Sequence, residues 1–165
     1  MLRLYFAIAL LTVPRPDWQL FESTAGRFSV SVPAAPEQTT TYTPAPSGLL
    51  PTTIVSVATD LKTEYMVSWT TYDSATFTGV SDSGLMRARD ALVANKHGHV
   101  QADSAVALEG VSGRATTFTS DDGRVVEVWL FARANRFYQI MATSDGQPAA
   151  RASSARFLNS FRLLP

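Results

Sequence analysis

The chain contains no cysteine. That excludes a disulfide scaffold, a thiolate metal site, a cysteine nucleophile and the lipidated cysteine of a lipobox. Histidine is almost as scarce, with only His97 and His99. Net charge is missing too. Across 165 residues, 14 Lys and Arg balance 14 Asp and Glu, which removes the simplest argument for nucleic acid or an anionic membrane as partner. Charged residues make up 17% of the chain and hydrophobic ones 45%. That composition buries a core and does not fit disorder. There is no internal repeat, no second domain and no long low-complexity tract.

The N-terminus carries Arg3 and then the apolar run Leu4 to Val13. This has the form of the n- and h-regions of a signal peptide. The run is about ten residues, against the ~20 a membrane-spanning helix needs. No small-x-small site follows it, since Ala7 and Ala9 lie inside the run. A buried N-terminal helix or strand is the competing reading. Pro14 and Pro16 break any helix. Residues 1–16 are therefore read as a signal-like segment and 17–165 as one α+β domain. The expected location is exported: periplasmic, extracellular or membrane-tethered. Peripheral membrane association through residues 1–16 stays open.

Elements follow from periodicity. RFSVSVP alternates, with Phe28, Val30 and Val32 on one side, and stops at Pro33. The Thr- and Pro-rich stretch after it reads as a loop with a short edge-quality strand around Gln38 to Thr43. LPTTIVSVAT and EYMVSWTTY read as strands joined by a turn at Asp60 to Thr63, with Tyr65, Val67 and Trp69 on one face. SDSGLMRARDALVANKHG then shifts to a helical period. Leu85, Ala88 and Leu92 form a stripe that Met86 and Val93 widen. Ser81, Asp82 or Ser83 suits the N-cap, and Gly98 the left-handed position past the end. Four strands follow: HVQADSAVALE, GRATTFTS, RVVEVWLFAR and RFYQIMATS. Gly110 and Gly113 bracket the first turn between them, and Asp121 to Gly123 form the second. Gln147 and Pro148 open a last helix with Phe157 and Leu158 on its apolar side, and the chain ends in an extended FRLLP.

The run VEVWLFARANRFYQIMATS mixes aromatics with arginines, as a base-stacking surface would. A turn at Ala134-Asn135 gives a different reading. It sets Phe131 opposite Tyr138, Trp129 opposite Ile140, Leu130 opposite Gln139, Ala132 opposite Phe137 and Val128 opposite Met141. Val126, Val128, Leu130, Phe137 and Met141 then share one face, and Trp129, Phe131, Tyr138 and Ile140 the other. A sheet apolar on both faces needs cover on both, and two helices are available. Arg133 and Arg136 fall beside the turn, and no K/R-G-F/Y strand motif is present. The expectation is core, with no nucleic acid as partner. From Arg133 to Pro165 five arginines face one acid, Asp145. This skew is read as a solvated rim.

No catalytic signature emerges. GVSGR is neither G-x-S-x-G nor a phosphate loop, and Ser112 there is read as a turn residue. Nothing in the spacing brings a serine, a histidine and an aspartate together. No catalytic or cofactor-binding residue is assigned, no cofactor is expected, and the protein is read as not an enzyme. The weak metal candidates are His97 and His99, with Asp103 or Glu109 as further ligands that no spacing supports, since zinc takes three or four. Asp90 is expected to pair with Arg87 or Arg89 on the helix surface. Trp18 is expected to pin the N-terminal segment, and Trp69 and Trp129 to lie in the core.

Several segments resemble the PsbP-like superfamily. They are GRFSVSVPAAPE, LMRARDALV, LEGVSGRATTF, NRFYQIMAT and FLNSFRL, within residues 20 to 163. The resemblance implies an α/β/α sandwich, a central antiparallel sheet flanked by helices on both faces. It also implies a non-enzymatic binding or assembly role. Members include proteins at the lumenal face of photosynthetic membranes, bacterial exported proteins or lipoproteins, and a distant branch that binds a small GTPase. The cysteine-free chain departs from the lipoproteins. The expectation is a monomeric, non-catalytic, exported or membrane-associated domain whose partner is another protein. The alternative is a small-molecule or metal-ion binder with a site near His97 and His99. A hydrolase with an unrecognised site comes third.

Overall fold

Ten strands in two sheets, with two helices, make up the described part of the computed structural model, residues 17–45, 48–59, 63–74, 77 and 79–165. The strands are β1 (Gln19–Ser23), β2 (Phe28–Val32), β3 (Glu37–Ala45), β4 (Gly48–Ala58), β5 (Glu64–Thr71), β6 (His99–Leu108), β7 (Val111–Thr119), β8 (Val125–Arg133), β9 (Arg136–Ser144) and β10 (Arg162–Leu163). The helices are α1 (Asp82–Asn95) and α2 (Pro148–Ser160). A seven-stranded antiparallel sheet runs β3-β4-β5-β9-β8-β7-β6, and a three-stranded one runs β1-β2-β10. No helix among the described residues is long and apolar enough to cross a membrane. The signal-like residues 1–16 and most of the turn expected at Asp60 to Thr63 lie outside the described residues.

The β8–β9 register is the one read from the sequence. Phe131 pairs with Tyr138, Trp129 with Ile140, Leu130 with Gln139, Ala132 with Phe137 and Val128 with Met141. Both faces are buried in this stretch. On one, Phe118, Val126, Val128 and Leu130 cluster with Leu85 of α1. On the other, Phe131, Tyr138 and Ile140 cluster with Tyr65, Val67 and Trp69 of β5 and with Phe157 and Leu158 of α2. Phe131 and Tyr138 are buried and Trp129 is half-buried.

A helix alone does not cover that second face. Phe28, Val30 and Val32 of β2 and Leu163 of β10 are in the same cluster, so the small sheet shares the cover. The result is a sheet-dominant α+β fold, with two sheets where one was expected. Trp18 pins the start of β1 as foreseen, with its ring edge-on to Tyr65 at 5.6 Å and the Arg156 guanidinium 4.7 Å above it.

Local chemistry accounts for the element ends. Ser81 caps α1, its hydroxyl accepting from the Gly84 N–H at 3.2 Å. Leu85 is buried, whereas Met86 is exposed and does not widen the stripe. The left-handed residue after α1 is His97, with φ 46°, not Gly98. His97 N–H bonds Ala94 O at 3.0 Å and Gly98 N–H bonds Val93 O at 2.8 Å, the paired closure of a Schellman motif. Gly98 is a glycine for another reason: a Cβ there would lie 2.5 Å from the Phe118 ring. Gly113 likewise lies inside β7 rather than at a turn, where a Cβ would meet the Phe131 ring at 2.3 Å. The β6–β7 turn falls on Glu109 and Gly110, both at positive φ.

Candidate binding surface

Strands β3 and β4 run past the rest of the sheet. They pair from Glu37–Ser56 out to Ala45–Gly48, whereas β4 meets β5 only from Thr52 onward. The outer part, residues 42–45 with 48–51, is therefore a two-stranded arm. Pro51 lies just outside the β4–β5 pairing, which stops at Thr52 and Thr70, so its missing N–H breaks no bond of that ladder. Tyr42 is the cross-strand partner of Pro51, and Pro44 of Leu49. The two-residue period puts all four on one face. Tyr42 is 65% exposed and Leu49 68%. Both prolines are exposed as well. Behind the arm, hydroxyls hold the register: Thr43 Oγ1 to Thr52 Oγ1 at 2.7 Å, then Thr52 to Thr70 at 2.7 Å. The strand expected around Gln38 to Thr43 runs on to Ala45, past Pro44, which reads as a breaker, and the strand expected from Leu50 starts at Gly48. The alternation of Tyr42 and Pro44 was the available signal.

The histidines do not assemble a site. His97 is exposed at the end of α1, and His99 is exposed at the first position of β6, paired with Thr119. No group of three or more His, Asp or Glu that could hold a metal ion occurs among the described residues. The further ligands suggested for them are engaged elsewhere. Glu109 Oε2 accepts the Leu163 N–H at 3.2 Å. Asp103 takes Arg114 Nε on both oxygens at 3.0 Å, the Thr116 hydroxyl at 2.6 Å and Arg89 Nη1 at 3.0 Å. Arg114 Nη2 also bonds Asp103, and Nη1 reaches Asp82 at 3.2 Å. This knot ties α1 to β6 and β7. Burial would raise the Asp103 carboxyl, but the Arg114 and Thr116 hydrogen bonds and the two positive charges outweigh it and hold it below its ordinary value. Asp90 pairs with Arg89 at 2.7 Å, one of the two partners anticipated. Ser112 lies in β7 and is exposed, and no hydrogen bond links a serine to either histidine among the described residues.

Hollows dent the described surface, three of them as follows. The first, about 450 Å³, opens beside β4 and β5 among Ile54, Val57, Glu64, Tyr65, Met66 and Met141. Its Glu64 is paired with Arg124 at 3.2 Å. The second, about 310 Å³, lies at the start of α1 against Tyr72, Arg87 and Phe137. The third, about 490 Å³, is a shallow bay by Phe77 and Asn135. Neither histidine lines any of them.

Among solved structures, the solution structure of cyanobacterial PsbP (CyanoP) from Synechocystis sp. PCC 6803 superposes with a TM-score of 0.62. The match covers 95% of this chain and 97% of that one, at 9% identity. The fold is PsbP-like. No protein-family model and no curated protein matches the chain. The PsbP-like fold is thus carried by architecture, at 9% identity.

Proposed function

We propose that this chain is a non-catalytic, PsbP-like binding or assembly domain, exported or membrane-associated, that holds a protein partner through the β3–β4 arm. In this reading the layers are an α/β/α sandwich with α1 and α2 on opposite faces, which leaves the arm as the projecting element. The observation that carries it is the arm's uncovered apolar face, Tyr42 and Leu49 flanked by Pro44 and Pro51. An exposed aromatic and an exposed leucine on one face of a two-stranded ribbon are what a protein interface uses. The apolar run Leu4 to Val13 supports export or membrane association.

The test is site-specific photocrosslinking in the native host, with the reactive group at Tyr42 or Leu49. One discrete adduct is expected from both positions, absent when the group is at Ala91 on exposed α1 surface and abolished by adding Pro51→Asp. Equal adducts from Ala91, or none from the arm, would contradict the proposal. The alternative, a small-molecule or metal site at His97 and His99, draws no support from the geometry around either imidazole.

A further inference from the structure

Arg133 and Arg136 are direct cross-strand partners beside the β8–β9 turn. The two-residue period aims them to the side of Phe131 and Tyr138. The β1–β2 turn meets them there. Tyr138 Oη donates to Gly26 O at 2.8 Å, and Arg27 follows with φ 53°. Arg27 O accepts the Leu164 N–H at 2.8 Å, while Arg133 Nη1 reaches Leu164 O at 3.5 Å. Three guanidinium-bearing residues from two distant parts of the chain therefore converge around the hydroxyl end of Tyr138.

Among the described residues, no ion pair involves Arg27, Arg133 or Arg136. Glu109, which reaches the same C-terminal strand through the Leu163 N–H, pairs with none of the three. Arg136 Nε is closed to solvent and has no hydrogen-bond partner among the described residues. Like charges directly opposite across a ladder are destabilising, and a buried donor without a partner is costly. Arg27 adds the strain of a left-handed residue that is not glycine. Burial raises the Tyr138 hydroxyl, and the three positive charges pull it back.

We propose that Arg27, Arg133 and Arg136 form an oxyanion-binding site that takes a phosphate or carboxylate group beside Tyr138. Guanidinium forks match those two groups bidentately, and an anion there would relieve the Arg133–Arg136 repulsion and partner the orphan Nε. The site lies on the β8–β9 and β1–β2 turns and does not depend on the arm's role.

The experiment is a low-salt titration of the full chain with inorganic phosphate and, separately, with acetate, followed by backbone amide shifts. A saturable response confined to Gly26, Arg27, Asn135 and Leu164 is expected. Saturation by phosphate alone assigns a phosphate-bearing ligand, and saturation by acetate too admits a carboxylate. Arg133→Gln and Arg136→Gln should each weaken binding about tenfold or more. Arg27→Gln, at an exposed turn position that keeps the fold intact, should weaken it several-fold. Arg87→Gln, on the exposed side of α1, should leave it unchanged. No saturable response to either anion, or equal losses in Arg87→Gln and Arg27→Gln, would overturn the site.

Discussion

Asp103 joins three elements through one carboxylate, with Arg89 on α1, Arg114 on β7 and its own strand β6. Asp103→Asn would leave two guanidiniums facing a neutral amide. The side chains keep only 13–16% of their surface exposed, so a loss of about 2–4 kcal/mol is expected, somewhat under the cost of breaking a fully buried pair. Urea unfolding at pH 7 measures it, and a loss below 1 kcal/mol would mean that the knot is a solvated surface pair. The pH dependence has a definite sign. The folded-state value of Asp103 is lowered, so its stabilisation is complete above the unfolded value of about 4. It is lost as pH falls through the lower folded value. None of this knot could be read from the sequence, where Asp103 stood only as a conceivable metal ligand. A carboxylate and an arginine eleven positions apart become neighbours only once the β6–β7 hairpin is in register.

At the scale of elements, the β8–β9 hairpin was readable to the residue, because a two-residue turn and an apolar pattern on both faces admit one register. β1 was not, and β10 was expected only as an extended tail. QLFES and RL are too short to show a period, and β2 alone makes them strands. The glycines misled for a related reason. Gly98 and Gly113 suggest turns in one dimension, but aromatic rings lying against their backbones demand them. The docking of α2 also holds a polar group the pattern hid, Glu127 on β8. Burial raises its carboxyl, and Ser154 and Arg151 of α2 only partly offset this. A raised folded value means that this group's contribution is fully present below the unfolded value of about 4.3. It is eroded as pH rises through the folded one. Glu127→Gln should therefore be more stable than the parent at pH 7 and equal to it near pH 4. A variant less stable at pH 7 would show that the ionised carboxylate itself holds α2.

For the molecule as a whole, the PsbP-like architecture was legible from the order of its elements, whereas its surfaces were not. The arginine corner was visible only as a charge skew, since Arg27 lies more than a hundred positions before Arg133. The outer end of β3 was disguised by Pro44. Both readings of function rest on one physical division: the aromatics of β5, β8 and β9 are spent on cohesion between layers, and recognition is left to the edges. Native-state amide hydrogen exchange tests that division most directly. Amides of β5, β8 and β9 should exchange only through global unfolding, and those of the outer half of β3 orders of magnitude faster. Fast exchange along β8 and β9, with Trp129, Phe131 and Tyr138 open to water, would contradict it.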